Sequence, residues 1–224
     1  IAATVDVILS RSITGNSIGA KLTIPQGTLF TDSNGNSWLS ARDVTWYSNV
    51  TTCKVPIIQH EKYTASALNN MIIPTGDRVI LNLGTLPNGK YYEQGSMSLQ
   101  IGGETWVLVD TFAKSKPTDK HFMVSVDESL SPYIMFGDGT FGKKPAAGAK
   151  ITNVVFYLTN GAQGNVKSNT ITSVPSVISS SITDATVSNA YDAGGGSNYE
   201  NFTMLKEHIP LSVKTLGVAI TKED

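Results

Sequence analysis

Between Phe136 and Gly148 the chain reads Phe-Gly-Asp-Gly-Thr-Phe-Gly-Lys-Lys-Pro-Ala-Ala-Gly, and no other stretch restricts the fold so strongly. Gly137, Gly139 and Gly142 have the spacing of a dinucleotide-binding turn, and Gly137 to Lys143 falls one residue short of a phosphate-binding loop. Both motifs hold phosphate only where a helix starts at the loop, because its amino-terminal N–H groups and dipole grip the anion. Here Pro145 and Gly148 interrupt the chain, and a β-rich run from Ile151 to Leu158 begins three residues after Gly148. No helix fits that gap. Lys144 also stands where the magnesium-binding hydroxyl would be. The segment reads instead as a structural loop, a rigid corner between strands built from Gly137, Asp138, Gly139, Gly142, Pro145 and Gly148.

Elsewhere the pattern is that of strands and tight turns. Val5, Val7 and Leu9 alternate with Thr4, Asp6 and Ile8, which predicts a first strand, and Leu22 to Ile24 runs into the turn Pro25-Gln26-Gly27. Asn34-Gly35, Asn88-Gly89 and Asn160-Gly161 are each the preferred dipeptide of a type I′ hairpin turn. Met97, Leu99 and Ile101 alternate into Gly102-Gly103, and Glu104 to Val109 returns, so a hairpin is expected over Ser96 to Val109. Phe122 to Val126 and Tyr133 to Phe136 predict further strands, and Val154, Phe156 and Leu158 mark one apolar face of another.

Past Asn165 the chain turns rich in serine, threonine and valine, with a strand expected around Ile182 to Val187. Ser197 and Glu200 then form a capping box, and Phe202, Leu205 and Ile209 share one helical face, which predicts a helix over 198–209 stopped by Pro210. The fold expected is mainly β: antiparallel β domain(s) with a small C-terminal α+β portion carrying one capped helix. Residues 1–168 are read as the β-rich domain, with 80–145 readable as an inserted lobe, and 169–224 as the α+β segment. Ile1 at the start, and a strand that opens at Gly217 and stops at Asp224, suggest a portion of a longer protein.

The side chains able to do chemistry are scattered. A net charge of −1 gives no long-range pull on nucleic acid or an anionic membrane, and the single cysteine, Cys53, cannot form an internal disulfide. His60, His121 and His208 lack metal spacing, so no metal and no cofactor are expected. Asp127 and Glu128 are adjacent and would point to opposite faces of a strand, which favours a solvated turn. Asp32, Asn34 and Asn36 have the alternation of a calcium loop without its later glycine and glutamate, so a hairpin turn is the better reading. Ser131 and Ser197 lack a nucleophile elbow. Asn49-Val50-Thr51 and Asn201-Phe202-Thr203 are formal glycosylation sites with nothing to mark secretion. Trp38, Trp46 and Trp106, with Tyr47, Tyr91 and Tyr92, could form a sugar-binding platform or simply pack in a core. With no nucleophile, base and oxyanion donor assembled, the chain is not expected to be an enzyme.

Three segments, in order, resemble the baseplate J-like family, the wedge proteins of contractile phage tails. They are Ile24-Pro25-Gln26-Gly27-Thr28 with Trp38-Leu39-Ser40; Tyr133 to Gly148 followed by Val155-Phe156-Tyr157 and Gly161 to Val166; and Ala193 to Glu200 followed by Ile209-Pro210 and Val218 to Asp224. The look is most similar to T-even-type members. Asn198 stands where an acidic residue is common in the family, and Gly217-Val218 replaces its usual basic pair. The resemblance implies a structural virion protein of the tail baseplate, assembled in the host bacterial cytoplasm, with no catalysis. The implied partners are other wedge subunits, further copies of the chain as a homodimer within each wedge, and sheath-initiating and hub-proximal tail proteins. Neither nucleic acid nor membrane is implied. A carbohydrate-binding tail or adhesin domain is the second reading, and a nucleotide-dependent enzyme, resting on the glycine spacing, the third.

Overall fold

Alternating side chains on β1 (Thr4–Ser10) drive Val7 and Leu9 into a core that excludes solvent completely. The computed structural model describes residues 1–13, 21–66 and 68–199. After β1 come β2 (Leu22–Ile24), β3 (Leu29–Thr31), β4 (Ser37–Ser40), β5 (Val44–Trp46) and β6 (Thr52–Ile58). β1 and β6 pair antiparallel along their whole length, from Thr4 opposite Ile58 to Ser10 opposite Thr52. β4 follows beside β6 and β3 beside β4, while β2 and β5 form a separate pair. The β3–β4 turn is built on Asp32, whose Oδ1 accepts the N–H groups of Asn34 and Asn36 at 2.9 Å each. It is therefore a side-chain-organised hairpin turn, as its asparagines and glycine foretell.

The chain then enters a second lobe through β7 (Glu61–Thr64), β8 (Ile80–Asn82), β9 (Tyr91–Tyr92), β10 (Ser98–Ile101), β11 (Glu104–Leu108), β12 (His121–Val126), β13 (Pro132–Phe136) and β14 (Ile151–Thr159). The sheet runs β7-β14-β10-β11-β12-β13-β8, with β9 also on β14. Its pairings are antiparallel except β11 with β12. Parallel neighbours need a long crossover, and residues 109–120 supply it. The β10–β11 hairpin turns on Gly102 (φ 59°) and Gly103 (φ 79°), both in the left-handed region that a type I′ turn demands. Leu99, Ile101, Trp106, Phe122, Ile134, Phe136, Val154, Phe156 and Leu158 fill this lobe's core, with Trp106 edge-on to Phe136 at 5.4 Å.

The last described stretch returns to the first lobe. Gly161–Gly164 make a 3-10 turn, α1 (Ser176–Ser179) follows, and β15 (Thr186–Ser188) pairs antiparallel with β1. Val166, Ile171, Ile178, Ile182, Val187 and Ala193 enter the same core as Phe30, Trp38 and Trp46. The core of the second lobe spans Ala65 to Leu158, wider than the 80–145 read from sequence. Residues 166–193 complete the first lobe rather than opening a separate one.

Two local expectations are corrected. Asn160-Gly161 does not turn a hairpin, since among the described residues no strand returns beside β14 from there; the Asn160 N–H instead donates to Gln59 Oε1 at 2.6 Å and the chain coils into the 3-10 turn. The strand expected over Ile182 to Val187 begins only at Thr186, because Ile182 N–H is drawn to the Ile178 carbonyl at 2.8 Å, extending the turn of α1. The helix expected over 198–209, with Glu200 of its capping box, lies outside the described residues. Ser197 is described, and its backbone exchanges hydrogen bonds with Ile1.

Candidate functional site

The corner loop is held shut by its own backbone. Asp138 Oδ1 accepts the N–H groups of Thr140 at 2.8 Å and Phe141 at 2.9 Å, which holds its carboxyl below the usual aspartate range. Gly139 N–H reaches the Gly142 carbonyl at 3.0 Å, and Lys143 N–H reaches the Asp119 carbonyl at 2.7 Å. Four donors that a phosphate loop would aim at its ligand are thus spent inside the protein. A Cβ on Gly137 would be driven into the Gly142 carbonyl, so these two backbones touch only because both residues are glycine. Gly139 sits at φ 95° and Gly142 at φ 83°, with the Phe112 ring 3.3 Å from where a Gly142 Cβ would lie. Pro145 is buried, and Gly148 N–H ties the end of the loop to the Ile73 carbonyl at 3.0 Å.

Beside the corner lies an open cavity of about 530 Å³. Ile80, Met123 and Met135 form its floor, Phe112, Ala113 and Phe141 its walls, and Arg78 and Asp138 are its charged residues. Sequence reading did not collect these side chains. Their pairing depends on register across β8, β13 and β12, which no local pattern carries.

A second constellation joins the lobes. Gln59, wholly buried, accepts at Oε1 from Thr159 Oγ1 at 3.1 Å as well as from Asn160 N–H. Asn160 Nδ2 donates to Asn36 Oδ1 at 2.7 Å, and its own Oδ1 accepts from Lys90, which also pairs with Glu61 at 2.7 Å. Alongside, Gly161 to Val166 and Ala193 to Asn198 brace each other. Asn165 grips Gly196 through both amide atoms at 2.8 Å, Ala193 N–H donates to the Val166 carbonyl at 2.8 Å, and Ala162 N–H donates to Asn198 Oδ1 at 2.9 Å. A Cβ on Gly196 would strike the Gly161 carbonyl, which accounts for glycine there.

The remaining candidates are dispersed. His60 stacks on Tyr157 with ring centroids 5.0 Å apart, and burial, aided by the amino-terminal ammonium, lowers its pKa to about 4. His121 Nδ1 lies 2.8 Å from Ser115 Oγ, and His208 is outside the described residues. Asp127 Oδ1 accepts from the N–H groups of Ser129 and Ser131, a turn rather than a carboxylate pair with Glu128. Trp38, Trp46 and Trp106 are core residues, divided between the two lobes, and Tyr92 is buried too, whereas Tyr47 is exposed and Tyr91 half-buried, so four of the six rings are withdrawn from the surface. Cys53 is buried in β6. Among the described residues no group of three or more His, Cys, Asp or Glu is placed to hold a metal, and no helix is long and apolar enough to cross a membrane.

No family model matches the chain, and no curated protein matches it significantly.

Proposed function

We propose that this chain is a structural component of the baseplate wedge of a contractile phage tail, joining the inner ring around the hub through protein–protein contacts. In this reading it resides in the virion, assembles in the host cytoplasm with other wedge subunits and with its own copies, and carries out no catalysis. The observation that supports it most is the corner loop, whose glycines serve close backbone approach and whose N–H groups are consumed internally. A loop closed in this way suits a rigid joint better than a ligand cradle. The segments that carry the resemblance lend further support, because Gly161 to Val166 and Ala193 to Asn198 hydrogen-bond to each other at the lobe junction. Shared architecture is a sound reason for such residues to recur together.

Co-expression with the neighbouring tail proteins of the same phage tests the reading. A stable wedge complex containing this chain, and tails that fail to form without it, are expected. Normal tails in its absence, or nanomolar binding of NAD or ATP by the purified chain in calorimetry, would overturn it.

A further inference from the structure

Backbone hydrogen bonds alternate in direction along a strand, so register reveals which groups an edge strand leaves over. Leu83 N–H donates to the Pro132 carbonyl at 3.0 Å and Phe136 N–H to the Val79 carbonyl at 3.3 Å. With Leu81 opposite Ile134, positions 79, 81 and 83 turn their backbone groups toward β13. Ile80 and Asn82 must therefore turn theirs outward. β8 is the last strand of its sheet, so these groups meet no strand among the described residues.

The far edge of the same sheet is protected differently. Lys62 lies opposite Tyr157, whose carbonyl accepts from Glu93 N–H on the other side, so Lys62 and Thr64 are the outward-turned positions of β7. A lysine on an edge discourages further pairing, because an added strand would crowd and desolvate its ammonium. β8 carries Ile80 in the corresponding role, 53% exposed. Ile80 faces Met135, and Met135 faces Met123, in one cross-strand row. The row lies on the face opposite the core residues Leu81, Ile134 and Phe122. Phe112 and Phe141, the latter 55% exposed, wall this row into a trough, and methionine floors adapt readily to varied apolar guests. Arg78 and Asp138 bring opposite charges to its mouth. The Asp138 carboxylate is engaged by the Phe141 and Thr140 N–H groups and feels Arg78 only as its weakest stabilising partner, while the Arg78 guanidinium makes no ion pair with a carboxylate among the described residues and is left to meet one from outside.

We propose that β8 accepts an extended segment of a different protein chain as an added strand. One apolar side chain of that segment fills the trough over Ile80, Met135 and Met123, and an acidic side chain lies beside Arg78. The inference deepens the assembly reading and rests on it, naming the face used and the chemistry of the partner. A second copy fits less well, since a symmetric β8 pair centred on Ile80 sets Arg78 against Asn82 and leaves both guanidinium groups unmatched.

The probe is a fluorescein-labelled peptide, Thr-Val-Thr-Ile-Thr-Glu-Thr, which, added antiparallel with its Ile opposite Ile80, sets Glu opposite Arg78 on the same face, with a Lys-for-Glu counterpart. The acidic peptide is expected to bind, to slow amide exchange at Ile80 and Asn82, and to bind about tenfold more tightly than the basic one. Ile80→Lys should abolish binding without changing the melting temperature, and Arg78→Gln should erase the preference between peptides. Absence of binding to either peptide, equal affinity for both, unprotected amides, or binding that survives Ile80→Lys would each overturn the proposal. A dimer seen by light scattering and lost in Ile80→Lys would overturn the choice of occupant in favour of a second copy. Tails that incorporate Ile80→Lys normally while both peptides fail would sink the β8 site and leave the assembly reading intact. Peptide binding by a chain that never enters a tail would do the reverse.

Discussion

The two lobes reach a closed core by different means. The lobe containing β7 to β14 uses one continuous stretch of chain, and most of its core residues, though not Ala65, Leu68, Ile73, Val79 and Met97, sit on strands whose backbones pair with one another. The lobe built on β1 to β6 is finished only when residues 166–193 come back, much of that stretch as loop. Loops carry backbone groups that no ladder satisfies, and burying them requires other partners. The first lobe accordingly holds buried Arg11, Asp32 and Asn189, whereas the second buries little beyond Ser115 away from the junction. Asn189 alone serves four backbone groups, accepting from Thr170 and Ile171 and donating to the carbonyls of Lys167 and Tyr191. Arg11 likewise donates to the carbonyls of Val50 and Tyr47 while its guanidinium lies 4.6 Å over the Trp46 ring. Polar anchors thus do in one lobe what strand pairing does in the other.

The sharpest way to break this contrast is Asn189→Leu. The apolar replacement strands four backbone groups, and we expect a loss of about 4 kcal/mol. Trp38 and Trp46 report on the first lobe and Trp106 on the second, so urea titrations of variants retaining only one or the other reporter resolve the two. The first lobe should unfold at lower urea than before, with Trp106 less affected. Coincident shifts of both signals would mean that the lobes are one cooperative unit and that the contrast has no energetic content.

Gly137→Ala probes the other side of the comparison. The added methyl meets backbone rather than a flexible side chain, so relief requires moving the loop, at a cost of about 3 kcal/mol. Here the Trp106 reporter should shift first. An unchanged melting curve would show that the close approach of Gly137 and Gly142 is dispensable. Between these two lies Gln59→Leu at the junction, which deprives Thr159 Oγ1 and Asn160 N–H of their buried acceptor. We expect about 2 kcal/mol, shared between the two reporters; a shift in one alone would mark Gln59 as internal to that lobe.

What could be read beforehand follows the same division. The β10–β11 hairpin was legible because Leu99, Gly102, Gly103 and Trp106 are neighbours in sequence, and hairpin turns are local chemistry. The corner at Gly137 to Gly142 was legible as a turn for the same reason, though Phe112 packing against Gly142 was not. Asn160-Gly161 misled, since its turn preference is real and its Gly161 φ is positive at 57°, yet Gln59 captures the chain first. The anchoring role of Asn189 and the Ile80–Met135–Met123 row depend on residues distant in sequence. Each such side chain is ordinary in its own window, and only tertiary register makes it a site.

The smallest effect expected is also the one most specific to the junction. His60 lies between β6 and β7, where the chain passes from one lobe to the other, stacked on Tyr157. Burial holds its pKa at about 4 against an ordinary 6.5, so the folded protein keeps the ring neutral where the unfolded chain takes up a proton. The contribution to stability is therefore complete above pH 6.5 and is lost as pH falls toward about 4. Solvent beside the half-buried ring reduces the loss to about 1 kcal/mol. His60→Phe keeps a ring against Tyr157 and removes the titration. The difference between the two proteins isolates His60, because both retain Glu93, whose carboxyl burial pushes up, and Asp32. At Asp32 burial also pushes the carboxyl up, but hydrogen bonds from Asn36, Trp38 and Asn34 outweigh it and hold it below its ordinary value. The stability difference should grow in favour of His60→Phe from pH 6.5 down to 4 and then level off. A difference that stays flat across that window would mean the junction opens readily enough to hydrate the imidazole, and that the His60–Tyr157 stack adds little to what the Gln59 and Asn160 hydrogen bonds supply there.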